Sequence, residues 1–239
     1  MNFLQAHAAL KAFAGGPELP ILLAMSGTGD PLELYVRAAA AEAGYSAQVQ
    51  FLPFGTLQQA LLGGVAPDTR EVLVLFPWDL LPELDWRTGI AESTPDAVQL
   101  RQRLDESVER LHRRGSAMLY VDVAGAPLAL DDHANASWRS SIRAALESVG
   151  ATMLPPSVFG LGSYLSSGQP IALKEVGVVA RAVIGAATTR AQPSAKVLVT
   201  DLDHTLWHGI IGDDGPTGIH YRPEGKGYRH FVYQTLLRR

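Results

Sequence analysis

Two aspartates that stand two residues apart, Asp201 and Asp203, are the side chains of this sequence best placed to do chemistry. They follow an apolar run at residues 196–200, which predicts a strand that delivers both carboxylates at its C-terminal end. Ligands bind at that end of the strands in open α/β sheets. Because alternate residues of a strand face the same side, the two carboxylates could hold one Mg²⁺, with phosphate oxygens and water completing its octahedron. We therefore predict a magnesium-dependent phosphoryl-transfer site.

The two carboxylates suit different steps of phosphoryl transfer. Asp201 can attack phosphorus as the nucleophile and form an aspartyl-phosphate. Asp203 can protonate the leaving oxygen as a general acid and then, as a general base, deprotonate the water that hydrolyses the intermediate. The metal would offset the repulsion between the anionic nucleophile and the anionic phosphate. The alternative interpretation is a solvated turn that happens to carry two acids after a strand.

The residues around the pair resemble a known motif. Residues 201–206 read Asp-Leu-Asp-His-Thr-Leu, which matches D-x-D-x-T-L, the first motif of the haloacid dehalogenase (HAD) superfamily. Residues 207–215 continue as Trp-His-Gly-Ile-Ile-Gly-Asp-Asp-Gly and resemble the FkbH-like branch, in which a Trp leads from the aspartate loop into a glycine-bounded flap. His204 departs from that branch where an Asn is usual, and His208 where a small residue is usual. His208 could serve as a base or be an exposed histidine of the flap.

The resemblance implies an activity, a cofactor and partners. FkbH-like proteins dephosphorylate 1,3-bisphosphoglycerate, a small phosphorylated three-carbon acid, and leave its glyceryl group on an acyl carrier protein for polyketide or tetronate biosynthesis. It thus implies a Mg²⁺-dependent phosphatase and glyceryl transferase, with Asp201 and Asp203 as catalytic residues and metal ligands. Two alternatives stay open: a catalytically inactive SGNH-like module that docks a carrier protein or forms a homodimer, and an SGNH-type esterase.

The elements before the aspartate pair alternate between strands and helices. Short apolar runs predict strands, and longer segments with helical spacing and capping residues predict helices between them. The strands are expected at residues 21–25, 49–52, 71–76, 117–123 and 152–154, and the helices at residues 30–44, 56–62, 94–115, 135–149 and 171–187. This alternation predicts an α/β fold with a doubly wound, flavodoxin-like (SGNH-like) and mostly parallel sheet. The first strand, flap and helix (225–237) of a HAD-type Rossmannoid domain are expected to follow.

The polar, proline-bearing segment at residues 189–195 predicts a linker between two domains. We therefore predict an SGNH-like, Rossmann-like domain at residues 1–188 and the start of the HAD-type domain at residues 196–239. Later superfamily motifs supply a phosphate-binding Ser or Thr, a Lys and further acids, and none follows the last helix here. We accordingly expect this sequence to be the N-terminal portion of a longer enzyme.

The first domain carries only part of what an SGNH esterase needs. Ser26 follows the first strand, but Trp78 stands where an Asn is expected and Gln169 where the base His is expected. A hydroxyl without a histidine is not activated at neutral pH, so Ser26 is interpreted as a turn residue. A His or Asp close to Ser26 in space would favour the esterase alternative.

Composition excludes several classes of protein. An apolar fraction of 47% with 18% charged residues argues against a disordered chain. A net charge of −4 gives no electrostatic footprint for nucleic acid, and the absence of cysteine excludes disulfides and thiolate metal sites. The sequence shows neither a signal-peptide pattern nor an apolar stretch long enough for a membrane span, so we expect a cytoplasmic protein with no membrane partner.

We expect the isolated chain of 239 residues to be catalytically silent. Two carboxylates with backbone oxygens would hold Mg²⁺ weakly, and charge on the transferring phosphoryl group would go largely uncompensated. Assays of this chain with an acyl phosphate and with small esters should show no turnover, while binding of a carrier protein could persist. A Mg²⁺-dependent release of phosphate that disappears in Asp201→Asn would contradict this expectation.

Overall fold

The computed structural model describes residues 1–53, 55–63, 68–87, 96–124, 132–189 and 199–238. The chain divides into two compact units, Met1–Arg190 and Ala191–Arg239. The larger unit contains the five described strands, and the smaller unit contains the aspartate pair. No helix in these ranges is long and apolar enough to cross a lipid bilayer.

The larger unit is built around one sheet of five parallel strands. In chain order the strands are β1 (Glu18–Met25), β2 (Ser46–Phe51), β3 (Arg70–Leu75), β4 (Ala117–Val121) and β5 (Thr152–Leu154). They lie side by side in the order β2-β1-β3-β4-β5, so the direction of strand addition reverses between β1 and β3. This is the flavodoxin-like order of a doubly wound sheet, and it confirms the predicted fold class.

The strands form where apolar residues run together, because helices cover both faces of the sheet. In β3, Val72 and Val74 belong to one layer of the core, whereas Leu73 and Leu75 belong to the other. Two pairs of long helices supply the opposing surfaces of these layers. They are α2 (Asp30–Glu42) with α8 (Val176–Thr188) on the first side, and α5 (Ala97–Arg114) with α6 (Asp132–Ser148) on the second.

Shorter helices fill the connections of the larger unit. They are α1 (Phe3–Ala12), α3 (Leu57–Ala60), α4 (Pro77–Leu80) and α7 (Leu161–Ser167). α1 begins with a capping box, since the Asn2 side chain accepts from the Gln5 N–H and the Gln5 side chain accepts from the Asn2 N–H, at 2.9 and 2.7 Å. The sequence pattern does not predict α4 or α7, which lie in segments rich in proline, glycine and serine.

The helix predicted at residues 171–187 begins later than expected. Ile171 forms an isolated antiparallel bridge with Phe159, and a 3₁₀ turn, Leu173–Glu175, precedes α8. The cause is a backbone hydrogen bond of 2.8 Å from the Ala172 N–H to the Val158 carbonyl, which holds this stretch in an extended path. Tertiary pairing therefore overrides the helical pattern over its first five residues.

Two helices of the larger unit begin in different ways. The N-cap of α2 is Gly29, which offers no side-chain hydrogen bond, and Pro31 lies in the first turn. Asp96 caps α5, since its carboxylate accepts from the Val98 N–H at 2.9 Å. The predicted opening of α5 at residues 94–95 lies outside the described residues.

The smaller unit contains two helices, α9 (Ile211–Gly218) and α10 (Tyr228–Leu237). α9 is broken at Gly215, whose φ of 67° lies in the left-handed region that favours glycine. α10 agrees with the helix predicted at residues 225–237, its start being a 3₁₀ turn. The predicted strand at residues 196–200 is not observed where it can be described, because Val199 and Thr200 belong to no strand and residues 196–198 lie outside the described ranges.

A buried ion pair ties the N-terminal edge of the sheet to the helices beside it. Arg114, the last residue of α5, donates to both carboxylate oxygens of Glu71 in β3, at 2.5 and 2.6 Å. The same guanidinium donates to the carbonyls of Ala60 and Gly63, each at 2.7 Å, and the Ser116 hydroxyl also donates to Glu71. The hydrogen bonds to Glu71 raise the pKa of Arg114. This contact therefore joins α3, β3 and α5 through four hydrogen bonds from one guanidinium.

Substitution of Arg114 by Met should lower the free energy of unfolding by about 3 kcal/mol, because it leaves the Glu71 carboxylate buried without its partner. The matched control is Arg113→Met, since the Arg113 side chain is 70% exposed and its ion pair with Glu109 lies on the helix surface. That variant should change the free energy by less than about 0.5 kcal/mol. Urea unfolding followed by circular dichroism measures both; equal effects would contradict the prediction.

Candidate active site

The aspartate loop, residues 201–209, is a compact turn closed by backbone hydrogen bonds. The Leu206 N–H donates to the Leu202 carbonyl at 2.8 Å, and the His204 N–H donates to the Gly209 carbonyl at 3.3 Å. His204 has a φ of 54°, in the left-handed region. Asn, Asp and His adopt this conformation more readily than other residues that carry a Cβ. The backbone thus accepts His204 at the position where the resembled motif has an Asn.

The two predicted catalytic carboxylates lie in different environments within this loop. Asp203 is half-buried, and its Oδ1 accepts from the Trp207 indole N–H at 2.9 Å and from the Ile211 backbone N–H at 3.1 Å. Asp201 is exposed, and its Oδ1 accepts only from the adjacent Leu202 N–H at 2.8 Å among the described residues. Asp203 is therefore fixed in place, while Asp201 is open to a ligand.

The flap, residues 207–220, closes on itself beside the aspartate loop. His208 and His220 pair as antiparallel backbone partners, with N–H to carbonyl distances of 2.8 and 2.9 Å. Asp214 accepts from the Ile210 N–H at 2.8 Å. A Cβ on Gly209 would lie 2.8 Å from the Asp214 carboxylate, and the φ of 108° at Gly209 also favours glycine. The glycine of this motif position is therefore required by the geometry of the flap.

Two polar side chains on one face of α10 form hydrogen bonds with backbone carbonyls of the aspartate loop. The His230 ring, which is buried, pairs through Nδ1 with the Thr205 carbonyl at 2.9 Å, and Gln234 donates to the Leu206 carbonyl at 2.5 Å. These two residues are four apart and so share a helix face. The sequence analysis did not predict either of these hydrogen bonds. The pattern that could have indicated them is the pair of polar residues, His230 and Gln234, four residues apart in α10.

The carboxylate pair suits Mg²⁺ in its chemistry, since hard oxygen ligands are those this ion prefers. Across the described part of the chain, no group of three or more His, Asp or Glu side chains is gathered to hold a metal. Mg²⁺ commonly binds through one or two carboxylates, with water and substrate phosphate supplying the other ligands. Asp201 and Asp203 therefore fit a site of that kind, and the sequence prediction of these two residues as metal ligands remains a prediction.

A second polar cluster lies in the larger unit, at the switch point between β1 and β3. The Trp78 indole N–H donates to the Ser26 hydroxyl at 3.0 Å, and Asp79 accepts from the Phe76 N–H at 2.7 Å. Burial raises the pKa of Asp79 to about 7, while the hydrogen bonds from Phe76 and from Ser26 act in the opposite direction. An acid thus lies beside Ser26, which is one of the two observations that would favour an esterase.

The rest of this cluster is arranged for packing. Among the described residues, no histidine forms a hydrogen bond or a ring contact with Ser26 or Asp79. Trp78 stacks between the rings of Phe76 and Tyr164, with centroids 4.9 and 4.7 Å away. The turn after Ser26 is covered, since a Cβ on Gly27 would lie 2.2 Å from Pro170. Among the described residues, Ser26 therefore has no histidine to act as its general base, and the turn that follows it is covered by Pro170.

Comparison with known proteins shows a likeness of fold. No family model matches this sequence, and no curated protein matches it. Among solved structures, it is similar to the N-terminal part of the protein BF1531 from Bacteroides fragilis, which contains a phosphatase domain and is complexed with Mg. The TM-score is 0.60 at 14% sequence identity, with 100% of this chain and 70% of that chain covered. At this identity the likeness shows a shared fold.

The buried carboxyl of Asp79 should make stability depend on pH. Its pKa in the folded state, about 7, lies above the ordinary 3.8, so its contribution is complete below about pH 4 and is lost as the pH rises through 7. The loss by pH 8 should be on the order of 4 kcal/mol. Asp79→Asn mimics the protonated form and should remove most of this dependence, whereas Asn at the exposed Asp68 should not. Urea unfolding of these variants between about pH 4 and 8 tests the prediction; parallel curves for wild type and Asp79→Asn would overturn it.

Proposed function

We propose that the smaller unit supplies the nucleophile and the general acid and base of a Mg²⁺-dependent phosphatase. The observation that carries the proposal is the contrast within one loop. Asp203 is anchored by the Trp207 indole and the Ile211 N–H, while Asp201, two residues earlier, is exposed. A nucleophile must be accessible, and an acid–base group must be held in one orientation. The likeness of fold to a structure that contains a phosphatase domain supports this assignment.

The side chains of the loop suit a two-step displacement. A carboxylate oxygen of Asp201 attacks phosphorus, and the bond from phosphorus to the leaving oxygen breaks while Asp203 donates a proton to that oxygen. Water then attacks phosphorus, Asp203 takes its proton, and the bond to Asp201 breaks. Because Oδ1 of Asp203 already accepts two hydrogen bonds, Oδ2 is the oxygen that carries the proton. A bound Mg²⁺ would neutralise part of the phosphoryl charge.

For the substrate, we propose a three-carbon acid that carries an acyl phosphate at one end and a phosphate ester at the other. The thiolate of an acyl carrier protein attacks the acyl carbon and displaces its phosphate, which transfers the glyceryl group, while Asp201 attacks phosphorus of the phosphate ester and releases the hydroxyl. The support is the sequence resemblance over residues 201–215, together with a flap that the His208–His220 pairing closes beside the aspartate loop. In this proposal the larger unit docks the carrier protein or forms a homodimer. Pull-down of an acyl carrier protein with the complete protein, and with the larger unit's surface mutated, tests the partner separately from the chemistry.

Ester hydrolysis by Ser26 is the second candidate, and the acid beside its hydroxyl is the observation that favours it. The closed turn opposes it, as does the lack of a histidine in contact with Ser26 among the residues that the structure describes. Ser26→Ala should therefore leave any hydrolysis of p-nitrophenyl acetate unchanged. A loss of burst-phase hydrolysis in that variant would revive this candidate.

In the complete protein, Asp201→Asn should abolish Mg²⁺-dependent phosphate release, because the amide cannot attack phosphorus. Asp203→Asn should slow turnover by about 100-fold or more, as expected for loss of a general acid and base. Trp207→Phe removes one donor to Asp203 and should give a smaller loss, roughly tenfold. The matched control is Asp213→Asn, an exposed acid in α9 of the same unit, which should keep wild-type activity. Phosphate release measured with a colorimetric assay decides; normal turnover by Asp201→Asn would rule out the assigned role.

A further inference from the structure

Imidazole rings and positive charge gather next to the aspartate loop. The ring of His208 has three imidazole neighbours, with centroids 5.7 Å away at His204 and 6.2 Å away at both His220 and His230. The pKa of His208 is lowered, first by desolvation and then by the positive charge of Lys226 and of the neighbouring imidazoles. His208 and Lys226 therefore share a region of positive potential that an anion would relieve.

The turn that bears Lys226 adds the partial charge of a helix N-terminus. Lys226 lies in the 3₁₀ turn Gly225–Gly227, which leads directly into α10, and the N-cap of α10 offers no side-chain hydrogen bond. A Cβ on Gly227 would lie 2.8 Å from backbone atoms of Arg222, so the turn packs closely against the chain just after the flap. The positive end of the α10 dipole thus lies at the turn that bears the lysine.

Acidic and basic residues of the smaller unit lie in different segments of the chain. Residues 201–219 contain four acids, Asp201, Asp203, Asp213 and Asp214, and no Lys or Arg. Residues 220–238 contain the basic residues Arg222, Lys226, Arg229 and Arg238 against the single acid Glu224. A compound whose phosphoryl group binds at the aspartate loop through Mg²⁺, and whose other end carries a second anionic group, could place that second group beside the basic residues.

We propose that His208, His220 and Lys226 form a subsite for a second anionic group of the substrate. The phosphatase site would then act on small phosphorylated compounds that also carry a carboxylate or a second phosphate. This inference rests on the function proposed for Asp201 and Asp203. Imidazole N–H groups and an ammonium group are suitable donors to either anion. Metal binding is less favoured, because no group of three or more metal-ligating side chains is gathered within the described ranges.

Two phosphonates that cannot be hydrolysed test the subsite in the complete protein with Mg²⁺. Methylphosphonate has one anionic group, and phosphonoacetate adds a carboxylate. Calorimetry should show phosphonoacetate binding about five- to tenfold more tightly, as expected for one charge-assisted hydrogen bond in a partly exposed site. Lys226→Gln and His208→Gln should remove most of that preference, whereas Arg238→Gln, which removes an exposed cation at the other end of α10, should keep it. Equal binding of the two ligands would overturn the subsite, while failure of both to bind would count against the proposed magnesium site.

A second measurement does not depend on the aspartates. Without Mg²⁺, titration of the full chain with inorganic phosphate should shift the C2–H proton resonance of His208, and Lys226→Gln should weaken this response roughly fivefold. No shift at His208, or equal weakening by Arg238→Gln, would overturn the proposal. A response to ZnCl₂ with none to phosphate would show that the cluster binds a metal and would overturn it as well.

Discussion

The arrangement of the smaller unit depends on one carboxylate oxygen, Oδ1 of Asp203. It accepts from the Trp207 indole and from the Ile211 N–H at the start of α9, and so joins the aspartate loop to the flap. Hydrogen bonds to an ionised acceptor are stronger than those between neutral groups, and here two of them converge. Asp203 is thus both the residue that joins the loop to the flap and the proposed general acid and base. Among the described residues, Asp201 accepts only from the adjacent Leu202 N–H. Substitution of Asp201 should therefore change the chemistry with less effect on the structure than substitution of Asp203.

Glu71 and Asp79, two buried carboxyl groups of the larger unit, differ in whether a basic side chain pairs with them. Glu71 is 6% exposed, and its two carboxylate oxygens accept hydrogen bonds from Arg114, so it is paired within the fold. Asp79 is 8% exposed, and the hydrogen bonds from Phe76 and Ser26 do not offset the cost of its burial. Removal of Arg114 would leave the first carboxylate buried without its partner. The second is neutral in the folded state below about pH 7, and its contribution to stability is lost as the pH rises from about 4 through 7.

The sheet could be predicted from the sequence because its strands are buried on both faces, so each appears as a short apolar run. β3 is the clearest case, with Val72 to Leu75 dividing between two core layers. The start of α8 could not be predicted in the same way. Its first residues have helical spacing, but the Ala172 N–H is used by the Val158 carbonyl, and a pairing between loops leaves no local pattern.

The same limit applies to the candidate site. The pair Asp201 and Asp203 could be found because both residues lie in one short motif. The supports from His230 and Gln234 lie 25 and 28 residues away, and nothing in their own segment shows that they reach the loop carbonyls. The proximity of Asp79 to Ser26 was likewise hidden, because it arises where β1 and β3 become neighbours in the sheet.

The two histidines that depart from the resembled motif occupy positions where the fold uses the backbone. At His204 the requirement is a φ of 54°, which His meets as one of few residues with a Cβ. At His208 the requirement is the pair of backbone hydrogen bonds to His220, which any residue except proline can make. The His208 imidazole is therefore not needed to close the flap, whereas Nδ1 of His204 accepts a long hydrogen bond from the Gly209 N–H, at 3.4 Å, and so helps to close the loop. The two rings lie 5.7 Å apart within the proposed nucleophile's loop. A side chain that the fold does not require, placed at a candidate site as His208 is, is better explained by what it binds than by what it stabilises.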